Sequence, residues 1–184
     1  DSMVILEKSL RKKIENNELL VGSWITLAHP SIAEIMASAG FDWLCIDLEH
    51  SSINISQAEE LIRIVNLSGV SPLVRLTSNN SDQIKRVMDS GSEGIIVPMV
   101  NSVQDARSAV HSAYYPPIGN RGFGLSRAHS YGIDFEEYLE WQTKNTTIRS
   151  GGHVLRSSGK REGWKKAIVT LKEGDKINLV DGDF

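Results

Sequence analysis

From about residue 20 to residue 148, short uninterrupted apolar runs alternate with longer amphipathic stretches. The runs over 20–27, Trp43–Asp47, 73–76 and Gly94–Pro98 are rich in Ile, Leu and Val and predict strands. Each is followed by a helix, over 30–39, 56–67, 81–90 and Val103–Ala113. In the first helix Ile32, Ile35, Met36 and Ala39 keep the i, i+3, i+4, i+7 rhythm of one buried face, as Ala58, Leu61, Ile62 and Val65 do in the second. Pro30 at the start and Gly40 past the end bracket the first helix. Ser56 with Glu59 suggests a capping box for the second. Asn80 and Ser102 cap the third and fourth, and Gly91 stops the third. Ahead of these units, residues 4–19 carry Leu6, Leu10, Ile14 and Leu19 among charges, as an amphipathic lead-in helix would.

Strands that are apolar throughout are covered on both faces, which is the habit of parallel sheets joined by right-handed helical crossovers. The expected fold is therefore α/β. Four parallel βα units make half of a (βα)8 TIM-type barrel, or a small open sheet. A glycine-rich dinucleotide loop is missing after the first strand, which argues against a nucleotide-binding sheet. Residues 114–132 form a long loop rich in Gly and Pro, and 134–141 return to helix. Thr146-Thr-Ile148 begins a fifth strand that is not expected to develop, because Arg149-Ser-Gly-Gly-His-Val-Leu-Arg-Ser-Ser-Gly159 is polar and glycine-rich.

Composition adds one asymmetry. Over 184 residues the net charge is -3, with 40% hydrophobic and 23% charged residues, so there is no global case for nucleic acid. Residues 1–148 hold 12 Lys/Arg against 18 Asp/Glu, a net of -6, whereas 149–184 hold 8 against 5, a net of +3. Two parts follow: a half-barrel over 1–148, and a basic loop with a β-hairpin tail over 149–184. Cys45, the only cysteine, sits in an apolar strand and reads as a small buried residue rather than a nucleophile. No signal peptide and no apolar run near the ~18 residues of a membrane span is evident, so a cytoplasmic setting without membrane contact is expected. Asp1-Ser2 ahead of Met3 reads as residues added before a natural start.

The chemistry gathers where strands end. Phe41-Asp-Trp-Leu-Cys-Ile-Asp-Leu-Glu-His50 runs from an apolar strand into Asp47, Glu49 and His50. Arg75 ends the third strand, Asn101 follows the fourth, and Arg121 lies in the long loop. In a parallel barrel these are expected on one rim. An imidazole moves protons near neutral pH, and a guanidinium holds a carboxylate or a developing oxyanion. The plainer alternatives are a histidine that only bonds its loop, an arginine that ties down a helix end, and an Asp89 that is a solvated carboxylate. His29 reads as a helix cap, His111 as a helix-flank residue, and His129 and His153 as loop residues. No two histidines have metal-ligand spacing.

Several motifs in order resemble the class II 2-oxo-acid aldolases of the HpcH/HpaI family: Gly40-Phe-Asp-Trp-Leu-Cys-Ile-Asp-Leu-Glu-His50, Pro72-Leu-Val-Arg75, Gln83-Ile-Lys-Arg-Val-Met-Asp89, Ile96-Val-Pro-Met99 and Tyr115-Pro-Pro-Ile-Gly-Asn-Arg-Gly122. The resemblance covers about residues 20–148, the first half of that family's barrel. It implies reversible cleavage of 4-hydroxy-2-oxo acids to pyruvate and an aldehyde. It makes His50 the general base and Arg75 the holder of the small 2-oxo acid and its enolate. It makes Asp89 the carboxylate that raises the basicity of that histidine from a neighbouring subunit, with Asp47 a local competitor. It gives Arg121 and Gly122 to substrate binding, and implies a divalent cation, magnesium or manganese. The family's metal carboxylates begin with a Gln-x-Glu just after the segment matching residues 145–148. Here Arg149-Ser150-Gly151 stands instead, so weak or absent activity is expected from this chain alone.

Residues 156–180 resemble the C-terminal hairpin of a bacterial large-subunit ribosomal protein beside the exit tunnel. That resemblance makes Arg156, Lys160, Arg161, Trp164, Lys165 and Lys166 possible contacts to rRNA. A solvated edge hairpin without RNA is the alternative. The simplest account is a chimera, and a half-barrel with two open edges is expected to form a homo-oligomer.

Overall fold

The computed structural model describes residues 9–151. The elements are α1 (Leu10–Glu15), β1 (Gly22–Ile25), α2 (Pro30–Ser38), β2 (Trp43–Asp47), α3 (Ile55–Leu67), β3 (Ser71–Arg75), α4 (Ser81–Asp89), β4 (Gly94–Pro98), α5 (Val103–Ala113), a 3-10 segment (Arg127–Gly132), α6 (Phe135–Asn145) and β5 (Thr147–Gly151). The five strands form one parallel sheet in chain order, β1-β2-β3-β4-β5. This is a partial βα barrel.

The two faces of the sheet do different jobs because side chains alternate along each strand. Leu44, Ile46, Val74, Ile95 and Val97 point outward into the main core with Ala58, Leu61, Ile62, Ile84 and Val87 of the helices. Cys45, Leu73 and Ile96 point to the inner face, where Leu10 and Ile14 of α1 pack on them. Cys45 is fully buried. At the amino-terminal ends of the strands α1 is tied down by charge. Glu93, just before β4, accepts from the Leu10 amide at 2.7 Å, and Lys13 pairs with Asp42, just before β2, at 2.6 Å. A Cβ on Gly22 would lie 1.9 Å from the Trp43 ring, so only glycine lets that indole lie across β1.

Most expected elements are present, with three corrections. Helix α3 starts one residue earlier than expected. Its capping box is Asn54 with Gln57, each side chain bonded to the other's backbone N–H, rather than Ser56 with Glu59. Strand β3 begins at Ser71 and includes Pro72. A fifth strand does develop: Thr147 to Gly151 pair along all of β4, from Gly94↔Thr147 to Pro98↔Gly151. The expected break after residue 148 falls inside that strand. Arg156, Lys160, Arg161, Trp164, Lys165 and Lys166, and the hairpin expected to carry them, lie outside the described residues.

An apolar groove of about 470 Å³ runs beside β5, walled by Val97, Ala109, Val110, Ile118 and Ile148. Neither His50 nor Arg75 is among the residues that wall it.

Ile62→Ala removes a fully buried side chain of α3 and should cost about 2–5 kcal/mol in urea unfolding. Leu67→Ala, on the exposed end of the same helix, should stay within about 0.5 kcal/mol. Asn54→Ala should cost about 1 kcal/mol through the lost cap.

Candidate active site

The carboxyl ends of β2 and β3 carry one connected cluster. Asp47 and Arg75 are register partners on adjacent strands and both face inward. Arg75 donates from Nε to Asp47 Oδ1 at 2.9 Å and from Nη2 to Oδ2 at 2.6 Å, a paired fork. Asp47 Oδ1 also accepts the backbone N–H groups of Glu49 and His50, at 3.0 and 3.2 Å. One carboxylate thereby orients the guanidinium and folds the turn that presents His50. Ser51 Oγ closes that turn by donating to the Asp47 carbonyl. The Arg75 guanidinium also lies 4.5 Å over the Trp24 ring of β1, a cation–π contact.

Glu49 joins the two candidate groups. Its Oε2 lies 3.3 Å from Arg75 Nε and 3.7 Å from His50 Nε2. The second distance is too long for a hydrogen bond, and the imidazole itself is well exposed, with 68% of its side-chain surface open. Burial pushes the Asp47 carboxyl up, but Arg75 and the two amides pull harder and hold it below the usual carboxylate range. Asp47 in turn raises the Arg75 guanidinium above its ordinary value, so the pair stays ionised at neutral pH.

The match to known proteins settles the lineage. A sequence model described as HpcH/HpaI aldolase/citrate lyase matches residues 20–154. The chain belongs to the HpcH/HpaI aldolase/citrate lyase family. It is 39% identical over 113 residues to 2-dehydro-3,6-dideoxy-6-sulfogluconate aldolase of Pseudomonas putida, covering 61% of this chain and 44% of that one. It is 38% identical over 125 residues to 4-hydroxy-2-oxovalerate aldolase of Novosphingobium aromaticivorans, covering 67% and 48%. The crystal structure of an HpcH/HpaI aldolase from Desulfitobacterium hafniense superposes with a TM-score of 0.71 at 30% identity, covering 77% of this chain and 56% of that one. The chain spans about half the length of the relatives it matches.

Within one HpcH/HpaI chain the expected site residues fall into two groups. His50 and Arg75 meet at the carboxyl-end rim through Glu49. Asp89 and Arg121 do not join them. Asp89 ends α4 and Arg121 follows α5, and both helices run antiparallel to the strands, which carries these residues to the opposite rim. There Arg121 donates from Nη2 to Asp89 at 2.6 Å and lies 4.5 Å over the Tyr115 ring, its side chain wholly buried. Arg121 therefore cannot reach a ligand beside its own chain's His50, which corrects the single-rim expectation. Gly122 is exposed beside it. Asp47 does not support the imidazole either, since its oxygens are occupied by Arg75 and two amides. The nearest carboxylate to the imidazole is Glu49.

Asn101 is at the expected rim, where its side chain donates to the Met99 carbonyl and its backbone N–H to Asp105 of α5, each at 3.1 Å. His29 Nδ1 accepts from the Ser31 amide and caps α2, as expected. His129 is buried against Phe123 and bonds Gly124 and Ser126. Trp24 was missed from sequence. Its only signal is that it points to the same face as Cys45, its register partner. The implied magnesium or manganese does not fit the described residues: among them no three His, Cys, Asp or Glu side chains converge as a metal set. At the rim Asp47 is engaged by Arg75.

Because the folded Asp47 carboxyl titrates below the usual carboxylate range, its contribution to stability is complete at pH values above that range. That contribution is lost as pH falls through the depressed folded value. Thermal melts of the wild type and Asp47→Asn should differ most at pH 5–7, by about 1–3 kcal/mol, and should converge as the pH falls below the depressed folded value.

Proposed function

We propose that the rim of His50, Glu49, Arg75 and Asp47 is the 2-oxo-acid half of an aldolase site, for reversible cleavage of 4-hydroxy-2-oxo acids to pyruvate and an aldehyde. The observation that carries this is the convergence of an exposed imidazole and an oriented guanidinium on one carboxylate at the carboxyl ends of parallel strands. Arg75 spends Nε and Nη2 on Asp47 and Glu49, which leaves the Nη1 hydrogens for the carboxylate or enolate oxygen of a ligand.

In the cleavage direction His50 takes the proton of the 4-hydroxyl. The C3–C4 bond breaks, the aldehyde leaves, and the bonding pair becomes the enolate of pyruvate. Arg75 steadies the negative charge on the enolate oxygen, and the imidazolium returns its proton to C3. The described chain offers this charge one guanidinium already shared with Asp47, so turnover is slow. The working form is a homo-oligomer. Supporting this, β1 and β5 are the open edges of the described sheet, and Leu19, Val21 and Leu27 stand exposed beside β1. In the family resemblance Asp89 also acts from a neighbouring subunit, which its placement on the far rim accommodates.

Exchange of pyruvate methyl protons with deuterium, with and without added manganese, tests the last step of this sequence run in reverse, the proton transfer between His50 and C3. The wild type should exchange measurably above buffer. His50→Ala should lower the rate by about 10²-fold or more, to the background. Equal rates in wild type and His50→Ala would remove the imidazole from the reaction.

A further inference from the structure

A row of residues crosses the inner face of the sheet in register: Asp47↔Arg75, Arg75↔Ile96 and Ile96↔Arg149. Arg75 is the last residue of β3, but the stagger of the strands brings the middle residue of β5 level with it. Ile148 packs outward against the main core, so the alternation of the strand turns Arg149 to the inner face, beside Ile96. On the inner face the next pair toward the carboxyl ends is Pro98↔Gly151, neither of which carries a polar side chain, while Val97↔Ser150 between them faces outward.

The two arginines of this row are electrostatically unlike. Arg75 is matched by Asp47 and Glu49. Arg149 is partly buried, and no hydrogen bond or ion pair to its side chain is found among the described residues. Burial lowers its guanidinium below the usual value, and among the described residues no carboxylate offsets the loss. A partly desolvated, uncompensated cation is costly to a fold and is satisfied by an anion. Arg149 also borders the groove along β5, which gives such an anion a way in.

Neighbouring strands are about 4.8 Å apart, so Arg75 and Arg149, two strands apart, have backbones about 10 Å apart. That separation suits the two ends of a four- or five-carbon diacid. We propose that Arg149 is a second anion anchor, so that the site takes a dicarboxylic 2-oxo acid, with the 2-oxo end at Arg75 and the distal carboxylate at Arg149. The assignment of the 2-oxo end rests on the function proposed above; the distal contact is new.

Calorimetric titration of the whole chain with 2-oxoglutarate and with 2-oxopentanoate, equal in length but lacking the second carboxylate, isolates the distal charge. The wild type should bind 2-oxoglutarate about tenfold more tightly at low salt. Arg149→Gln should bring the ratio to near one without changing 2-oxopentanoate binding, and Arg149→Lys should keep part of the preference. Equal affinities in the wild type, no measurable binding of 2-oxoglutarate, or a ratio that survives in Arg149→Gln would overturn the assignment. Arg75→Gln separates this from the function itself: binding of both ligands that is indifferent to Arg75 refutes the proposed 2-oxo-acid role, while the ratio still reports on Arg149. A thermal melt of each variant checks that it folds.

Discussion

The forked ion pair between Asp47 and Arg75 is the contact on which the rim depends. It spans two adjacent parallel strands, so it exists only in the register that places the last residue of β2 beside the last residue of β3. It also reaches beyond the strands. The same Asp47 oxygen that receives Arg75 receives the amides of Glu49 and His50, so the turn bearing the imidazole is built on the carboxylate that aims the guanidinium. With only 3% of its side-chain surface exposed, Asp47 makes these contacts where screening by water is weak.

Parallel topology then divides the molecule into two ends with different work. Helices return the chain to the amino-terminal ends of the strands, where α1 closes the inner face and the Arg121–Asp89 pair sits among aromatic rings. Strands deliver Asp47, Glu49, His50 and Arg75 to the other end. In this HpcH/HpaI chain the described residues therefore hold an exposed imidazole and an oriented guanidinium on one rim. The carboxylate that the family resemblance would lend to a histidine lies on the other.

Where local pattern and tertiary context agree, the sequence was easily read. Strands Trp43–Asp47 and Gly94–Pro98, helix Val103–Ala113 and the caps at Asn80 and Ser102 follow from apolar runs and Ser/Asn chemistry alone. The start of α3 was misjudged because Asn54/Gln57 and Ser56/Glu59 both satisfy the spacing of a capping box. Strand β5 was missed because Arg149-Ser-Gly carries no apolar signal; its ladder to β4 is a backbone property that composition does not announce. The prominence of His50 and Arg75 was legible as polar groups at strand ends. Their link through Glu49, the support of Asp47, the Trp24 face and the level position of Arg149 were not, because each depends on register between strands tens of residues apart. Arg121 was misplaced because a loop after a helix was grouped with loops after strands.

The most direct test of a shared rim is the His50 imidazole resonance during a pyruvate titration, in the wild type and in Arg75→Gln. A saturable shift in the wild type that disappears in the variant, with the fold intact, is the predicted result. An imidazole that ignores pyruvate, or that responds identically without the guanidinium, would contradict it.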